Sequence, residues 1–307
     1  MLDVVSIGSA LIDIFVHSDQ FSLKSGEQGV LLCQRLGDKV EVDNFVLQTG
    51  GGGGNTAVGF ARMGFNAGVI CETGRDAWSK IVVDEFHREY VSTNYLVSER
   101  LENTGGSVIL NSGEGDRTVL VHRGASSMLN PHDIPEKALP HFRWVHLSSI
   151  AGQLETIKII FEAVRGVGLA KLSWNPGSSE LNLIDSGQIP VNSIPAEVLF
   201  LNQEEWEKLS SRHQELIGQI PQIIITNGSE GGVLLQQGEE IRYKAIAGEV
   251  VDSTGAGDAF AVGYVSAVLY KKEPQEALRW GARNAHSVIK QIGAKPGLLK
   301  KMHMEIE

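Results

Sequence analysis

Short apolar runs alternate with longer stretches of helical period along this chain. Val4–Ile7, Ala67–Cys71, Trp144–Leu147, Ala170–Trp174, Val198–Leu201 and Gln222–Thr226 are too short for helices, and most are rich in Val, Ile or Leu. Such runs predict strands buried on both faces. Between them, Leu154–Val164 carries Ile157, Ile160, Phe161 and Val164 on one helical face. Thr56–Met63 stops at Gly64, a residue suited to a helix C-cap. Ala256–Tyr270 and Pro274–Lys290 predict an antiparallel helix pair, with Pro274 fitted to a first turn. Strands and helices in this order predict a layered α/β fold.

Two regions break the pattern. Phe15–Thr49 and Thr104–Arg123 read as strands and hairpin turns, for instance Gly113-Glu-Gly-Asp116 between Ser107–Leu110 and Thr118–Val121. They are distant in sequence, yet together predict one small sheet beside the main one. A further hairpin, Gly232–Gln236 and Ile241–Ile246 around Gly238, is expected at an edge of the main sheet. With no repeat, low-complexity tract or linker, residues 1–307 read as a single domain with a β appendage.

A chain of 307 residues can bury a large core. Its net charge of -10 argues against a nucleic-acid binder, so any bound anion needs a local positive potential. No apolar run reaches the ~18 residues of a membrane span. The start, Met1 to Gly8, reads as a strand rather than a signal peptide, which gives the expectation of a cytoplasmic protein. Cys33 and Cys71 lie in no CxxC or Cys/His cluster and read as free thiols. The nine histidines are scattered, without HxH or HxxxH, and read as surface or packing residues.

The chemistry concentrates in Val251-Asp-Ser-Thr-Gly-Ala-Gly-Asp-Ala-Phe260. A turn with three small residues, Gly255, Ala256 and Gly257, runs into an apolar helix. Small residues admit a phosphate to the backbone, and free N–H groups of a first helical turn point at it. Asp258 projects from that turn, placed to accept a hydroxyl proton and aim the oxygen at a γ-phosphate. Without a catalytic role, Asp258 is simply a favourable acid in a first turn. The helix N-terminus is expected to lower its pKa and make it a weak base.

Thr49 is followed by five glycines and then Asn55-Thr-Ala57. Because each glycine costs conformational entropy on folding, a helix directly after such a run argues for close approach to a ligand over a plain linker. Gly52-x-Gly54-x-x-Ala57 also fits the loose dinucleotide-binding fingerprint, with Glu72 or Asp76 about 20 residues on. That leaves an NAD-dependent oxidoreductase as an alternative. A P-loop is excluded, since the chain has no Gly-Lys-Ser or Gly-Lys-Thr.

With these segments in place, the chain resembles the ribokinase-like (PfkB) family of carbohydrate and nucleoside kinases. The motifs run nearly end to end: Gly8-x-x-x-x-Asp13, Gly50-Gly51-x-x-x-Asn55, Gly74-x-Asp76, Gly115-Asp-Arg117-Thr118, Asn202-x-x-Glu205, Thr226-x-Gly228 and Asp252-Ser-Thr-Gly-Ala-Gly-Asp258. The resemblance implies a three-layer α/β/α domain with a mostly parallel sheet, and a small β-lid formed by about 15–49 and 104–123. It implies transfer of the γ-phosphoryl group of Mg-ATP to a hydroxyl of a sugar, sugar acid or nucleoside. Asp258 would be the base, and the amides of Gly255, Ala256 and Gly257 the anion hole. Substrate would meet Asp13, Gly50, Gly51 and Asn55. The nucleotide would meet Asn175, Thr226, Gly228 and Asn284. Asn202 and Glu205 would organise Mg2+ through water, while Asp252 and the segment around Gly293-Ala294 resemble the region binding a monovalent cation such as K+.

Three departures stand out. Ser253 replaces the commoner Thr but keeps the hydroxyl, and Ser79 stands where a Gly is frequent. Gly52–Gly54 lack side chains that help other members distinguish substrates. A non-catalytic binder of the same fold is a further alternative, although a mere binder needs no base. Exposed lid edges invite pairing, which suggests a homodimer through the lid.

Overall fold

The computed structural model describes residues 2–26, 29–112, 117–166, 168 and 170–304. The chain starts with β1 (Val4–Ile7) and passes at once into β2 (Leu11–His17), the hairpin β3 (Ser22–Gly26) and β4 (Gly29–Cys33), and β5 (Asn44–Gly50). It continues through α1 (Gly52–Arg62), β6 (Ala67–Ile70), the two-residue β7 (Glu72–Thr73), α2 (Ala77–Arg88) and the short β8 (Val97–Ser98). Next come β9 (Gly106–Asn111), β10 (Arg117–His122), β11 (Trp144–Leu147), α3 (Leu154–Arg165), β12 (Lys171–Trp174) and α4 (Ser178–Asp185). The remainder is β13 (Ala196–Asn202), α5 (Gln203–Lys208), α6 (His213–Gln219), β14 (Gln222–Thr226), the hairpin β15 (Gly232–Gln236) and β16 (Glu239–Tyr243), α7 (Ala256–Leu269), α8 (Pro274–Val288) and α9 (Lys301–Met304).

The main sheet has eight strands in the order β16-β15-β14-β13-β12-β11-β1-β6. Six are parallel, and the β15–β16 hairpin adds antiparallel strands at one edge. Alternate residues of one strand serve opposite layers. Val5 and Ile7 pack with Ile157, Ile160 and Phe161 of α3, whereas Val4 packs with Phe60 of α1 and Val265 of α7. Both faces are therefore covered by helices, which is why the six runs are mostly apolar rather than strictly alternating. The six apolar runs are all strands, shifted at their ends by at most two residues, whereas the predicted Ile241–Ile246 strand runs instead over Glu239–Tyr243.

A second sheet, β10-β9-β2-β5, gathers strands from both irregular regions. It begins at Leu11, earlier than the pattern suggested, because β2 leaves the main sheet only three residues after β1. The 113–116 turn, including Gly115 and Asp116 of the expected motif, lies outside the described residues.

One helix differs clearly from its prediction. α1 starts at Gly52, so Gly51 is its N-cap and three glycines form its first turn. Glycine's low helix propensity hid this turn; tertiary contact imposes it. A Cβ on Gly53 would lie 2.7 Å from the carbonyl carbon and oxygen of Gly8, so only bare backbone fits where α1 meets the end of β1. No helix among the described residues is long and apolar enough to cross a membrane.

Candidate active site

The carboxyl ends of the parallel strands hold most of the singled-out residues. β5 delivers the glycine run across the end of β1, and α1 leads away from it. Opposite, Gly255 caps α7 in the left-handed region at φ 76°, and a Cβ there would stand 2.8 Å from Ala294 Cα. Both helix N-termini thus converge on one place, α1 through Gly52–Asn55 and α7 through Gly255–Asp258.

Asp258 sits at that junction. Its Oδ2 accepts a hydrogen bond from Asn55 Nδ2 at 2.8 Å. The other oxygen is only 3.5 Å from where a Gly52 Cβ would stand, so the bare glycine leaves space beside the carboxylate. Burial pushes the Asp258 carboxyl above the usual range; the Asn55 hydrogen bond and the Lys295 charge pull it down but do not outweigh burial. The expectation from the helix terminus alone had the opposite sign. Asn55 is itself buried, and its Oδ1 has no partner among the described residues.

Asp13, on β2, lies at the other end of the glycine run. Its carboxylate accepts from Ser107 Oγ on β9 and covers Gly50, where any Cβ would overlap it. Burial again raises the pKa, against the pull of the Ser107 hydrogen bond, Lys295 and Arg117. Gly51 packs against the Ser9 carbonyl, completing the turn.

Asn175, Thr226 and Gly228, expected on the nucleotide side, border two adjoining cavities. One, of about 270 Å³, is lined by Asn175, Asn202, Glu205, Thr226 and Gly255–Asp258. Its larger neighbour, about 460 Å³, shares Thr226, Ala256 and Gly257 and adds Gly228, Ile246, Ala282, Ala285, His286 and Ile289. Among the described residues the N–H groups of Gly255 and Gly257 find no backbone acceptor, whereas that of Ala256 turns back to the Ser253 carbonyl at 3.3 Å. Asn202 and Glu205 form a capping box on α5: Asn202 Oδ1 accepts from the Glu205 N–H, and Glu205 Oε2 from the Asn202 N–H, both at 2.8 Å. This fixes a carboxylate and an amide oxygen at the cavity rim, hard oxygen donors suited to water-mediated Mg2+.

Some expectations meet a different geometry. Asn284, expected at the adenine side, is fully buried away from both cavities. Its Nδ2 donates to the Ala259 carbonyl at 2.7 Å and its Oδ1 accepts from the Leu299 N–H at 2.9 Å, so the amide ties α8 to α7 and to the segment before α9. Two residues on, His286 lines the larger cavity instead. Asp252 does not offer a vacant carboxylate for a monovalent cation. Its Oδ1 accepts from Arg117 Nη1 at 2.7 Å and from Thr254, and its Oδ2 from the Gly293 N–H at 2.9 Å. The guanidinium already supplies the positive charge, so this donor set does not fit the cation. Asp76 is an N-cap, accepting from the Ser79 N–H at 2.8 Å and from Thr104, which ties α2 to the approach of β9. Its carboxyl lies below the ordinary range because these hydrogen bonds outweigh the burial that would raise it.

Two polar residues at the site carry no sequence signal. Ser148, at the end of β11, places its buried Oγ 2.8 Å from the Gly52 Cβ position, with no partner among the described residues. Lys295 lies behind the glycine turn in an ordinary-looking Gly-Ala-Lys-Pro. The dinucleotide reading lacks its context, because the strand before the glycine run pairs antiparallel with β2 in the second sheet.

The chain is 29% identical over 256 residues to an uncharacterised sugar kinase of Archaeoglobus fulgidus, covering 78% of this chain and 98% of that one. Its fold matches that of a Methanocaldococcus jannaschii nucleoside kinase of the ribokinase family (TM-score 0.81, 20% identity, 99% of this chain and 97% of that one). It also matches an Escherichia coli protein assigned as ribokinase II, in complex with ATP and Mg2+ (TM-score 0.81, 17% identity, 99% and 98% covered). The model of the pfkB family of carbohydrate kinases covers residues 1–301, and the chain belongs to that family.

Proposed function

We propose that this chain transfers the γ-phosphoryl group of ATP to a hydroxyl of a sugar, sugar acid or nucleoside. The observation that carries the reading is Asp258: a half-buried carboxylate, clamped by Asn55, where a bare glycine face meets a cavity of about 270 Å³ bordered by Gly255, Ala256 and Gly257. Acceptor binds over Gly50–Asn55 with Asp13 holding neighbouring hydroxyls, and Asp258 takes the proton of the attacking one. The new O–P bond forms as the bond to ADP breaks, and the N–H groups of Gly255, Ala256 and Gly257 face the charge on the phosphoryl oxygens. Engaging the Ala256 N–H requires it to leave its long bond to Ser253. Mg2+ supplies charge neutralisation at the phosphates when bound, with Asn202 and Glu205 holding its waters. Asn175, Thr226 and Gly228 contact the nucleotide, and the larger cavity takes the base. The raised Asp258 pKa suits a proton acceptor better than a carboxylate at the ordinary value.

Residues 1–307 are read as one kinase domain, with 15–49 and 104–123 as a lid that excludes water. A cytoplasmic homodimer joined through the lid accords with this reading.

The test is ADP release from Mg·ATP across a panel of sugars, sugar acids and nucleosides, with wild type beside Asp258→Asn. One substrate class stimulates wild type, and the variant loses ~10²-fold or more in kcat. A variant as active as wild type removes Asp258 as base; ATP turnover stimulated by no member removes the substrate classes named.

A further inference from the structure

Among the described residues Lys295 is the one lysine in the buried interior, 3% exposed. Its Nζ donates to Glu85 Oε2 at 2.7 Å and to Thr49 Oγ1 at 2.8 Å. Thr49 Oγ1 in turn bonds the same Glu85 oxygen, and the ammonium lies 5.7 Å from the centre of the Phe86 ring. Burying such a charge is costly unless it is paired, and replacing a buried pair by apolar groups is often neutral or stabilising. Stability alone is therefore a weak reason for the pair.

Its position suggests another reason. Thr49 is the residue before the glycine run, and the Nζ stands 3.5 Å from the Cβ position of Gly54, directly behind the first turn of α1. The backbone is equally tied: Gly293 donates to Asp252, Ala294 packs on Gly255, and the Lys295 carbonyl accepts from Arg62 Nη1 at 2.7 Å. One short segment thus braces the two helix ends that frame Asp258.

We propose that Lys295, held by Glu85, is a positioning residue of this kinase site, bracing the Thr49–Asn55 turn and placing one positive charge behind both Asp13 and Asp258. The proposal rests on the reading of Asp258 as base. Among the described residues Lys295 is the one cation acting on both carboxylates; Arg117 and Asp252 also act on Asp13, with opposite signs. Around the ammonium itself stand Glu85 from α2, Asp13 from β2 and the Cys71 thiol after β6. Each favours its charged form, against the burial that opposes it. The Lys295 charge lowers the carboxyl pKa of Asp258, so removing it raises that pKa and starves the base of its ionised form at low pH.

The experiment compares wild type with the double variant Lys295→Met/Glu85→Met, which removes the pair without leaving a lone buried charge. Carboxyl titration is followed by 13C NMR on aspartate-labelled protein, with Asp258→Asn identifying the resonance, alongside kcat/KM against pH with the most active sugar or nucleoside. The folded double variant titrates Asp258 higher than wild type. Its kcat/KM falls severalfold at pH 6 and converges with wild type at higher pH. An unmoved Asp258 titration in the folded variant overturns the proposal, as a purely structural pair would give. Should the double variant not fold, Lys295→Gln removes the charge while leaving a donor to Glu85, and Asp258 again titrates higher than in wild type; no change there overturns the proposal equally. If the carboxyl moves as expected while wild type turns over no substrate, the kinase reading fails and the placement of charge stands.

Discussion

Individual carboxylates in this chain titrate according to how each is buried and paired. Glu72 on β7 is the clearest case outside the site. Burial first, then the neighbouring Asp133 and Glu99, push its pKa from 4.5 up to about 8. Between these two values the folded protein holds a proton that the unfolded chain has lost, so stability falls as pH rises through that window. Glu72→Gln keeps a donor toward Glu99 and cannot ionise. It should melt above wild type at pH 9, with the advantage shrinking toward pH 5, and thermal unfolding at the two pH values checks this. The burden on Asp258 has the same sign, so Asp258→Asn should raise the melting temperature at pH 7 while removing turnover. Equal melting temperatures would show that the folded site does not penalise the charge. Asp258 was legible in the sequence because small residues surround it, and Glu205 only through the family motif Asn202-x-x-Glu205. Lys295 was not, since a lysine between Ala and Pro looks solvated until three distant elements fold around it.

Helix α1 shows what a single element can hide. Its apolar half was readable from Thr56 onward, but the first turn is all glycine and carried no helical signal. The α7–α8 pair was readable almost to the residue, as its apolar positions and Pro274 are local features. Asn284 was misplaced for the opposite reason: its helix was right, but which face meets α7 is settled by packing. The same packing makes Gly53 intolerant. Gly53→Ala has to push α1 off the backbone of Gly8, and overpacking of this kind costs ~1–3 kcal/mol. Urea unfolding should show that loss, together with reduced turnover because Asn55 moves with the helix. An alanine variant as stable as wild type would mean the contact is slack.

Across the whole molecule, the α/β layering followed from six apolar runs, while the second sheet needed strands far apart in sequence to find one another. That sheet leaves Phe45 on β5 and Val119, Leu120 and Val121 on β10 exposed. They lie on the two edge strands of that sheet, and an exposed edge gains from being covered. The proposed dimer through the lid covers it, so light scattering at micromolar concentration should give twice the chain mass. Phe45→Asp/Leu120→Asp should give the single mass with melting unchanged, and a wild-type monomer would remove the dimer.

The glycine run carries a liability at the level of the gene. Five consecutive glycines are spelled by five GGN codons, a repetitive tract of the kind on which copying can slip by one unit. Slippage in a surface linker would pass unnoticed. Here the run joins the strand that carries Thr49 to the helix that carries Asn55, and both ends are pinned. One codon gained or lost turns everything after it by about 100° about the axis of α1. Asn55 would then face away from Asp258, although no residue of the site had been substituted. Selection on this tract therefore acts on its length as much as on its composition.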